Sequence, residues 1–261
     1  MMRMKRAHRR LTAVVASGLL GAAVVSCGPG HQGAADGGGP GQGSGGAGST
    51  SRTEAAYPGL ADVPEKVEPD GSTVLVGDPG ARMTVRLYED PRCPVCKEFE
   101  TEGGGPVLTE WVLRHKAKVE YTMASFLDPR LGGDGSKKAV NALRAALERG
   151  KFAEYHAVLY QNQPAEEVDG FTDARLLQLA GKVKGLRSPS FDAAVRSMKY
   201  RGFVNSAESA YAAAGHGAGH AGPGTPTAVV NGYQIPVESN GLLFDPGVFG
   251  KFLTLADGPS A

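Results

Sequence analysis

Two of the three cysteines in the chain, Cys93 and Cys96, lie three positions apart in the stretch DPRCPVCKEF. If a helix begins at Cys93, the two α-carbons fall about 5–6 Å apart, which is within the range of a disulfide bond. The unpaired N–H groups and the partial positive charge of the helix N-terminus would favour the thiolate form of Cys93. The spacing therefore makes the pair a candidate centre for reversible thiol–disulfide exchange.

Two other roles are open to this pair. A structural zinc site uses four ligands, commonly two such cysteine pairs, and the sequence has no second pair. His216 and His220 in the stretch GHGAGH would have to complete the site, but a flexible loop is expected there because the stretch is rich in glycine. A purely structural disulfide between Cys93 and Cys96 would close a very short loop and stabilise the fold little. Redox chemistry is favoured, and no metal is expected.

The elements around the pair predict an α/β fold. MTVRLYED (83–90) alternates apolar and polar residues, so the cysteines follow the carboxyl end of a strand, where open α/β sheets place their chemistry. VEYTMASF (119–126) predicts another strand, and residues 136–214 show only helical periodicity. TAVV (227–230) and YQIPV (233–237) flank Asn-Gly and predict a hairpin with a type I′ turn.

Two further features concern helices. Asp245 followed by Pro246 predicts the N-terminus of a last helix, because aspartate caps helices and proline suits their first position. His156 lies among the apolar stripes of the helical region, where a packed or half-exposed histidine without a catalytic role is expected.

The N-terminus indicates export. Five basic residues precede an apolar stretch, LTAVVASGLLGAAVVS (11–26), and this order is typical of a secretory signal peptide. The stretch is shorter than the roughly 20 residues that a membrane-spanning helix needs. It leads into VVSC, which resembles a bacterial lipobox, where a peptidase cuts before the cysteine and its sulfur receives lipid. We therefore expect Cys27 to be lipidated and the protein to be extracytoplasmic, anchored to the cell membrane as a lipoprotein.

The expected organisation has three parts. Residues 1–26 form the signal peptide, residues 27–69 the lipidated cysteine with a flexible tether rich in Gly and Ser, and residues 70–261 the folded domain. Removal of the signal peptide would take away five of the 28 basic residues and none of the 27 acidic ones, so the exported chain is acidic. This charge argues against nucleic acid as a partner.

Four segments, in order, resemble the DsbA-like branch of the thioredoxin superfamily in its exported lipoprotein form. They are GDPGARMTVRLYEDPRCPVC (77–96), KFAEYHAVLYQNQ (151–163), FDAAVRSMKY (191–200) and GPGTPTAVVNG (222–232). The resemblance covers most of the expected folded domain. It implies an α/β, thioredoxin-like fold with an inserted all-helical subdomain at about residues 136–214.

The resemblance also implies site residues. Cys93 matches the attacking nucleophile and Cys96 the resolving cysteine. Pro226 matches a cis-proline that faces the cysteines, with Thr225 before it, and in the family this loop offers backbone groups to a substrate chain. The redox-active disulfide between Cys93 and Cys96 would serve as the redox group, with no separate cofactor.

Two departures from the family pattern bear on the chemistry. Relatives have a buried acid six residues before the first cysteine, where this chain has Leu87; Glu89 or a water molecule would have to serve in its place. The run Gly103–Gly105 interrupts a helix that is continuous in relatives and is expected to alter the rim of the substrate groove.

The expected function is that of an extracytoplasmic thiol–disulfide oxidoreductase that acts on exported protein thiols and disulfides and is recycled by a membrane redox partner. The family favours an oxidase. The dipeptide Pro94-Val95 lacks the histidine that favours the thiolate in strong oxidants, so a reductase stays open. Two other classes also stay open: a non-catalytic lipoprotein that binds peptides in the same groove, and a metal carrier that uses the cysteine pair with His216 or His220.

Overall fold

The computed structural model of the chain describes residues 56–215 and 222–258, so Cys27, His216 and His220 lie outside the described residues. The strands are β1 (Glu65–Val67), β2 (Val74–Gly77), β3 (Met83–Glu89), β4 (Ala117–Met123), β5 (Thr227–Val230) and β6 (Tyr233–Gln234). They form one six-stranded sheet in the order β1-β2-β4-β3-β5-β6. Strand β3, which leads into the cysteine pair, is therefore an interior strand.

Strand β3 is held on both sides. It pairs in parallel with β4, from Met83 opposite Ala117 to Glu89 opposite Met123, and it pairs antiparallel with β5. Its side chains alternate between buried and more exposed positions, as the sequence predicts. Because the buried positions include Leu87 and Glu89, these two side chains lie on the same face of the sheet.

Most of the helices lie between β4 and β5. The helices are α1 (Pro94–Thr101), α2 (Gly104–Leu113), α3 (Leu127–Leu131), α4 (Gly135–Leu147), α5 (Phe152–Gln161), α6 (Asp173–Ala180), α7 (Pro189–Arg196), α8 (Arg201–Ala213), α9 (Gly241–Phe244) and α10 (Pro246–Ala256). Helices α4 to α8 occupy the region of the predicted helical insertion, and α3 lies just before it. Within the described residues, no helix has both the length and the apolar character needed to cross a membrane.

The C-terminal helix begins as predicted. The Asp245 side chain accepts a hydrogen bond from the Val248 N–H at 2.9 Å, and Pro246 occupies the first helical position. Proline costs nothing there because the N–H that it lacks would have no partner within the helix.

Gly103 caps α2, Gly104 and Gly105 are its first residues, and all three are buried, so they do not form a groove rim. A Cβ atom on Gly104 would lie 2.6 Å from the Phe249 ring in α10, and one on Gly103 would lie 2.8 Å from the Leu243 carbonyl oxygen in α9. The close approach of these two C-terminal helices therefore requires glycine. The prediction that these glycines alter the groove rim is therefore wrong, and their role is in packing.

The predicted hairpin is present but shorter. Asn231 and Gly232 have φ angles of 49° and 85°, and positive values at both positions are what a type I′ turn requires. Strand β6 ends at Gln234, short of the predicted end at residue 237. The reason is Pro236, which has no N–H to donate to a neighbouring strand.

Part of the segment expected to be a flexible tether, residues 27–69, belongs to the fold. A 3-10 helix spans Leu60–Asp62, and β1 pairs antiparallel with β2 at the edge of the sheet. With three residues, β1 is too short to show a clear alternation of apolar and polar residues. This explains why the folded domain was expected to begin only at residue 70.

Candidate active site

The two cysteines lie at the N-terminus of α1, directly after β3. Cys93 is the N-cap residue, Pro94 is the first helical residue and Cys96 lies in the first turn. Cys93 retains 7% exposure and Cys96 none, and both thiols are free. Cys93 therefore keeps a small exposed area, and Cys96 is fully enclosed.

The surroundings of the two sulfurs push their pKa values apart. The pKa of Cys93 is lowered to about 6, chiefly by a hydrogen bond from the Cys96 thiol and against the opposing effect of burial. The Thr225 side chain and the backbone N–H groups of Cys96 and Val95 lower it further. The pKa of Cys96 is raised well above its ordinary value by burial, by Cys93 and by the charge of Glu89. Near neutral pH the pair thus holds one thiolate and one protonated thiol.

The loop before β5 faces Cys93. The peptide bond between Thr225 and Pro226 is cis. The Thr225 carbonyl oxygen lies 3.4 Å from the Cys93 sulfur, and the Thr225 hydroxyl is buried without a hydrogen bond of ordinary geometry to any described residue. Two residues after Cys93, the Val95 side chain is 41% exposed. The loop and Val95 together border the accessible sulfur.

Tyr211 of α8 supports this loop. A Cβ atom on Gly222 would overlap the Tyr211 ring, and the φ angle of Gly222 is 87°, so glycine is required there by both space and backbone conformation. The Tyr211 ring also stacks on Phe126, with the ring centroids 5.1 Å apart. A helix of the insertion therefore helps to position the loop that faces the cysteines.

Arg92 joins the cysteine-bearing turn to the helical insertion. Its guanidinium donates to the Asp128 carboxylate at 3.0 Å and to the carbonyl oxygens of Gly132 and Glu166 at 2.8 and 3.2 Å. The side chain is only 2% exposed. A buried ion pair needs such additional hydrogen bonds to offset the hydration that both charges lose.

Asp90 fixes the start of the same turn. Its carboxylate accepts hydrogen bonds from the Arg92 N–H at 2.9 Å, from the Ser136 hydroxyl at 2.6 Å and from the Leu127 N–H at 3.1 Å. Burial raises the pKa of Asp90 to about 7. These contacts tie the turn before Cys93 to helices α3 and α4.

Helix α5 contacts the site along one face. Gln163, two residues beyond its C-terminus, donates from Nε2 to the carbonyl oxygens of Pro91 and Cys93 at 2.8 and 2.9 Å. Tyr160 is buried in a cluster with both cysteines. His156 lies one turn before Tyr160, and residues four apart share a helix face. The insertion thus supports the cysteine pair on its buried side.

Glu89, Glu100 and His156 form a buried cluster. His156 Nε2 lies 2.9 Å from Glu89 Oε2, and His156 Nδ1 lies 3.9 Å from Glu100 Oε2. The side chains are 0% exposed for Glu89, 4% for His156 and 10% for Glu100. A packed histidine is what the sequence predicts at this position, whereas its two carboxylate partners are not predicted. A glutamate on the buried face of a predicted strand was the available signal.

Burial pushes each member of this cluster toward its neutral form. It raises the pKa of Glu89 to about 8, raises the pKa of Glu100 well above its ordinary value and lowers the pKa of His156. Because the groups are in contact, their protons are shared and titrate together. The cluster therefore holds exchangeable protons in the neutral pH range.

Leu87, at the position where relatives have an acid, is fully buried among apolar side chains of the core. Glu89 lies two residues further along β3, on the same face and closer in the chain to Cys93. Since alternate strand residues share a face, a shift of two positions keeps a carboxylate on the side of the sheet where relatives carry one.

Residues 70–242 match the family model that is described as thioredoxin, and this segment is more than half of the chain. The chain belongs to the thioredoxin family. The matched segment contains both cysteines, the helical insertion and the Thr225–Pro226 loop. The predicted thioredoxin-like fold is confirmed. No match is found among the curated proteins.

Solved structures of DsbA-like proteins resemble this member of the thioredoxin family. BdbD of Bacillus subtilis is 18% identical with a TM-score of 0.59, over 78% of this chain and 99% of that one. DsbA of Mycobacterium tuberculosis is 25% identical with a TM-score of 0.51, over 75% and 99%. The disulfide bond oxidoreductase DsbG of the same organism is 26% identical with a TM-score of 0.51, over 78% and 97%. The DsbA-like resemblance and the predicted class, a thiol–disulfide oxidoreductase, are confirmed.

Proposed function

We propose that the protein introduces and exchanges disulfide bonds in exported proteins through Cys93 and Cys96, with oxidation as its main direction. The observation that carries this proposal is the low pKa of Cys93, about 6, beside a protonated Cys96 and facing the Thr225–Pro226 loop. A thiolate at neutral pH is both the attacking species and a good leaving group in disulfide exchange.

In the oxidising direction the cycle starts from the Cys93–Cys96 disulfide. A substrate thiolate attacks the Cys93 sulfur, the bond between the two cysteines breaks, and Cys96 leaves as a thiolate and takes up a proton. A second substrate thiolate then attacks the substrate sulfur of the mixed disulfide and releases Cys93 as a thiolate. The substrate loses two electrons and gains a disulfide, and the protein ends as the dithiol.

The stabilised thiolate of Cys93 favours this direction. At pH 7 a group with a pKa of about 6 is roughly nine-tenths ionised, which stabilises the dithiol by about 1.4 kcal/mol relative to an unperturbed cysteine. For a two-electron couple this free energy corresponds to about 30 mV. A more stable dithiol makes the disulfide a stronger oxidant.

A substrate chain would lie beside the Thr225–Pro226 loop. Backbone groups of this loop would pair with an extended substrate segment, and the exposed Val95 would contact its side chains. The exposed edge of Cys93 lies next to the same loop, 3.4 Å from the Thr225 carbonyl oxygen. An extended peptide is therefore the proposed substrate form.

The proposed location is outside the cytoplasm, at the cell membrane. The signal peptide and the lipobox ending at Cys27 support it, because they would tether the folded domain by lipid. The Cys93–Cys96 disulfide would be the redox group, without a further cofactor. A membrane redox partner would restore this disulfide after each cycle, since an oxidant is needed to recover it.

A reductase of the same fold is the second candidate. Val95 favours it, because a histidine between the two cysteines would add a positive charge next to the Cys93 thiolate and valine adds none. In this direction Cys93 attacks a substrate disulfide and Cys96 resolves the mixed disulfide. The two directions are distinguished by the midpoint potential of the couple.

The proposal is tested by oxidation of a reduced, unfolded protein that contains several cysteines. The wild-type disulfide form should restore disulfides in this substrate, and Cys93→Ser should abolish all turnover. Cys96→Ser should instead accumulate a mixed disulfide between Cys93 and the substrate, detectable by mass spectrometry, because the resolving thiol is absent. A wild-type protein that binds the unfolded chain without any turnover would contradict the proposal and favour the non-catalytic peptide-binding lipoprotein.

A further inference from the structure

The enclosed thiol of Cys96 must exchange a proton in every catalytic cycle. It leaves as a thiolate when the disulfide is attacked, and it must lose its proton again before it can attack a mixed disulfide. Its side chain is 0% exposed, so solvent does not reach it directly. A group within the protein must therefore accept and return this proton.

Helix α5 and strand β3 bring such groups to Cys96. Tyr160 packs in the cluster that contains both cysteines, and its pKa is raised by burial and by the charges of Glu89 and Cys96, which places these groups close together. Among the described residues, the Tyr160 hydroxyl and Glu89 Oε1 are buried and make no hydrogen bond of ordinary geometry. Tyr160 nevertheless acts as a hydrogen-bond donor that lowers the pKa of Glu89, so the two side chains lie close together. Buried polar atoms without an ordinary hydrogen bond are rare and call for a functional explanation.

The other end of the cluster approaches solvent. Glu100 keeps 10% exposure, and a cavity of about 30 Å³ is lined by Glu100 and His156 together with Thr109 and Ala157. A cavity of this size with polar groups in its wall has room for a water molecule. The line of groups thus runs from the enclosed thiol, through Glu89 and His156, to the Glu100 carboxylate beside this cavity.

We propose that Glu89, His156 and Glu100 carry the proton of Cys96 to and from solvent, with Glu89 as its immediate acceptor and donor and Tyr160 as the positioning residue between them. This inference rests on the proposed thiol–disulfide exchange. Relatives carry an acid at the position of Leu87. Here the function of that acid is given to Glu89, two residues further along the same strand, together with a histidine supplied by the helical insertion.

The proton movements balance the sulfur chemistry. For resolution, the Cys96 S–H proton passes to the Glu89 carboxylate, the Cys96 thiolate attacks the Cys93 sulfur, and the substrate leaves as a thiolate. For oxidation of a substrate, Cys96 leaves as a thiolate and takes the proton from the Glu89 carboxyl group. His156 and Glu100 then restore the protonation state of Glu89 by exchange with water at the cavity.

Titratable groups face this relay from four elements. Strand β3 contributes Glu89, with Asp90 directly after it, and β4 contributes Tyr121. Helix α1 contributes Cys96 and Glu100, with Cys93 as its N-cap, and α5 contributes His156 and Tyr160. Arg92 binds Asp128 and backbone carbonyl oxygens of the insertion, so its charge is already compensated. The pH dependence of the relay therefore belongs mainly to the Glu89–His156–Glu100 cluster.

The same three side chains have ligand atoms within 4.8 Å of one another, as a metal site would. The 2.9 Å distance from His156 Nε2 to Glu89 Oε2 instead has the length of a direct hydrogen bond. The experiment includes a chelator control, because a metal ion at this place would be removed by the chelator.

The test uses the reduced full-length protein and an aromatic disulfide, 5,5′-dithiobis(2-nitrobenzoic acid), which releases a coloured thiolate at each of two steps. Attack by Cys93 releases the first thiolate, and attack by Cys96 on the resulting mixed disulfide releases the second. We expect the second release to increase with pH through a midpoint near the Glu89 pKa of about 8. In Glu89→Gln it should slow by about 10²-fold at neutral pH and lose this midpoint, while the first release is unchanged.

Matched variants separate the relay from general damage. Glu154→Gln on α5 and Tyr155→Phe, whose hydroxyl donates to the Leu176 carbonyl oxygen, should leave both releases unchanged. His156→Leu should move the midpoint of the second release to higher pH, because Glu89 loses a partner for its carboxylate. His156→Gln, which keeps an amide donor, should move it less.

Each outcome bears on one of the two proposals. A wild-type protein that gives neither release would overturn the proposed function itself. If Glu89→Gln and His156→Leu give the second release with the wild-type rate and pH profile, the relay is wrong while the exchange chemistry stands. An equal slowing of both releases in Glu89→Gln would also contradict the relay, as would loss of the second release in wild type after treatment with a chelator.

Discussion

At the scale of single residues, the two sulfurs differ because one lies at a helix end and the other inside the first turn. Cys93 receives hydrogen bonds from the Cys96 thiol, from Thr225 and from the N–H groups of the first turn, and these lower its pKa. Cys96 is enclosed and faces the charges of Cys93 and Glu89, which raise its pKa. This division of roles needs no histidine between the cysteines.

The alkylation rates of the two thiols test this division. Iodoacetamide reacts with thiolates, so it should modify Cys93 of the reduced protein with a midpoint near pH 6 and leave Cys96 unmodified at neutral pH. Thr225→Val should move the midpoint to higher pH because a donor to the thiolate is lost. Thr254→Val, whose hydroxyl donates to Gly250 in α10, is the control and should not move it. Equal modification of both cysteines near pH 7 would be inconsistent with the described site.

At the scale of elements, the site is held between the end of β3 and the helical insertion. Gln163 and Tyr160 contact the cysteine-bearing turn from α5, Arg92 and Asp90 bind α3 and α4, and Tyr211 of α8 supports the Thr225–Pro226 loop. The insertion is therefore part of the candidate active site. Its removal would leave the buried ions of the turn without partners.

The glycine run between α1 and α2 makes a prediction at the same scale. Gly104→Ala should lower the free energy of unfolding by about 1–3 kcal/mol, because its Cβ would lie 2.6 Å from the Phe249 ring. Gly202→Ala in α8 is the matched control: no atom lies within 4 Å of its Cβ, so alanine should stabilise the helix by about 0.5–1 kcal/mol. Urea unfolding of both variants measures the difference. Changes of the same sign would refute the packing role.

Much of this arrangement follows from local sequence patterns. The alternation in β3, the Asn231-Gly232 turn and the Asp245 cap were predicted correctly because each depends on neighbouring residues. The cluster of Glu89 and His156 was not, because these residues are 67 positions apart and only the tertiary fold joins them. The expected tether also extended over β1, whose three residues are too few to show a strand pattern.

At the scale of the whole molecule, the redox potential of the proposed Cys93–Cys96 couple combines the contributions of all these groups. Between the pKa of Cys93, about 6, and the higher pKa of Cys96, reduction of the disulfide takes up one proton for two electrons. The midpoint potential should therefore fall by about 30 mV per pH unit in this range and by about 59 mV per unit below it. A constant slope across pH 6 would contradict the low pKa of Cys93.

The midpoint potential of the Cys93–Cys96 couple is the most direct test of the proposed function. It is measured by equilibrating the full-length protein with glutathione buffers of known ratio and quantifying the dithiol. We predict a reversible two-electron couple at neutral pH with a potential clearly above the about −270 mV of thioredoxin, as the stabilised Cys93 thiolate requires. A potential at or below that of thioredoxin would assign the reductase direction. The absence of any reversible couple would contradict thiol–disulfide exchange at this site altogether.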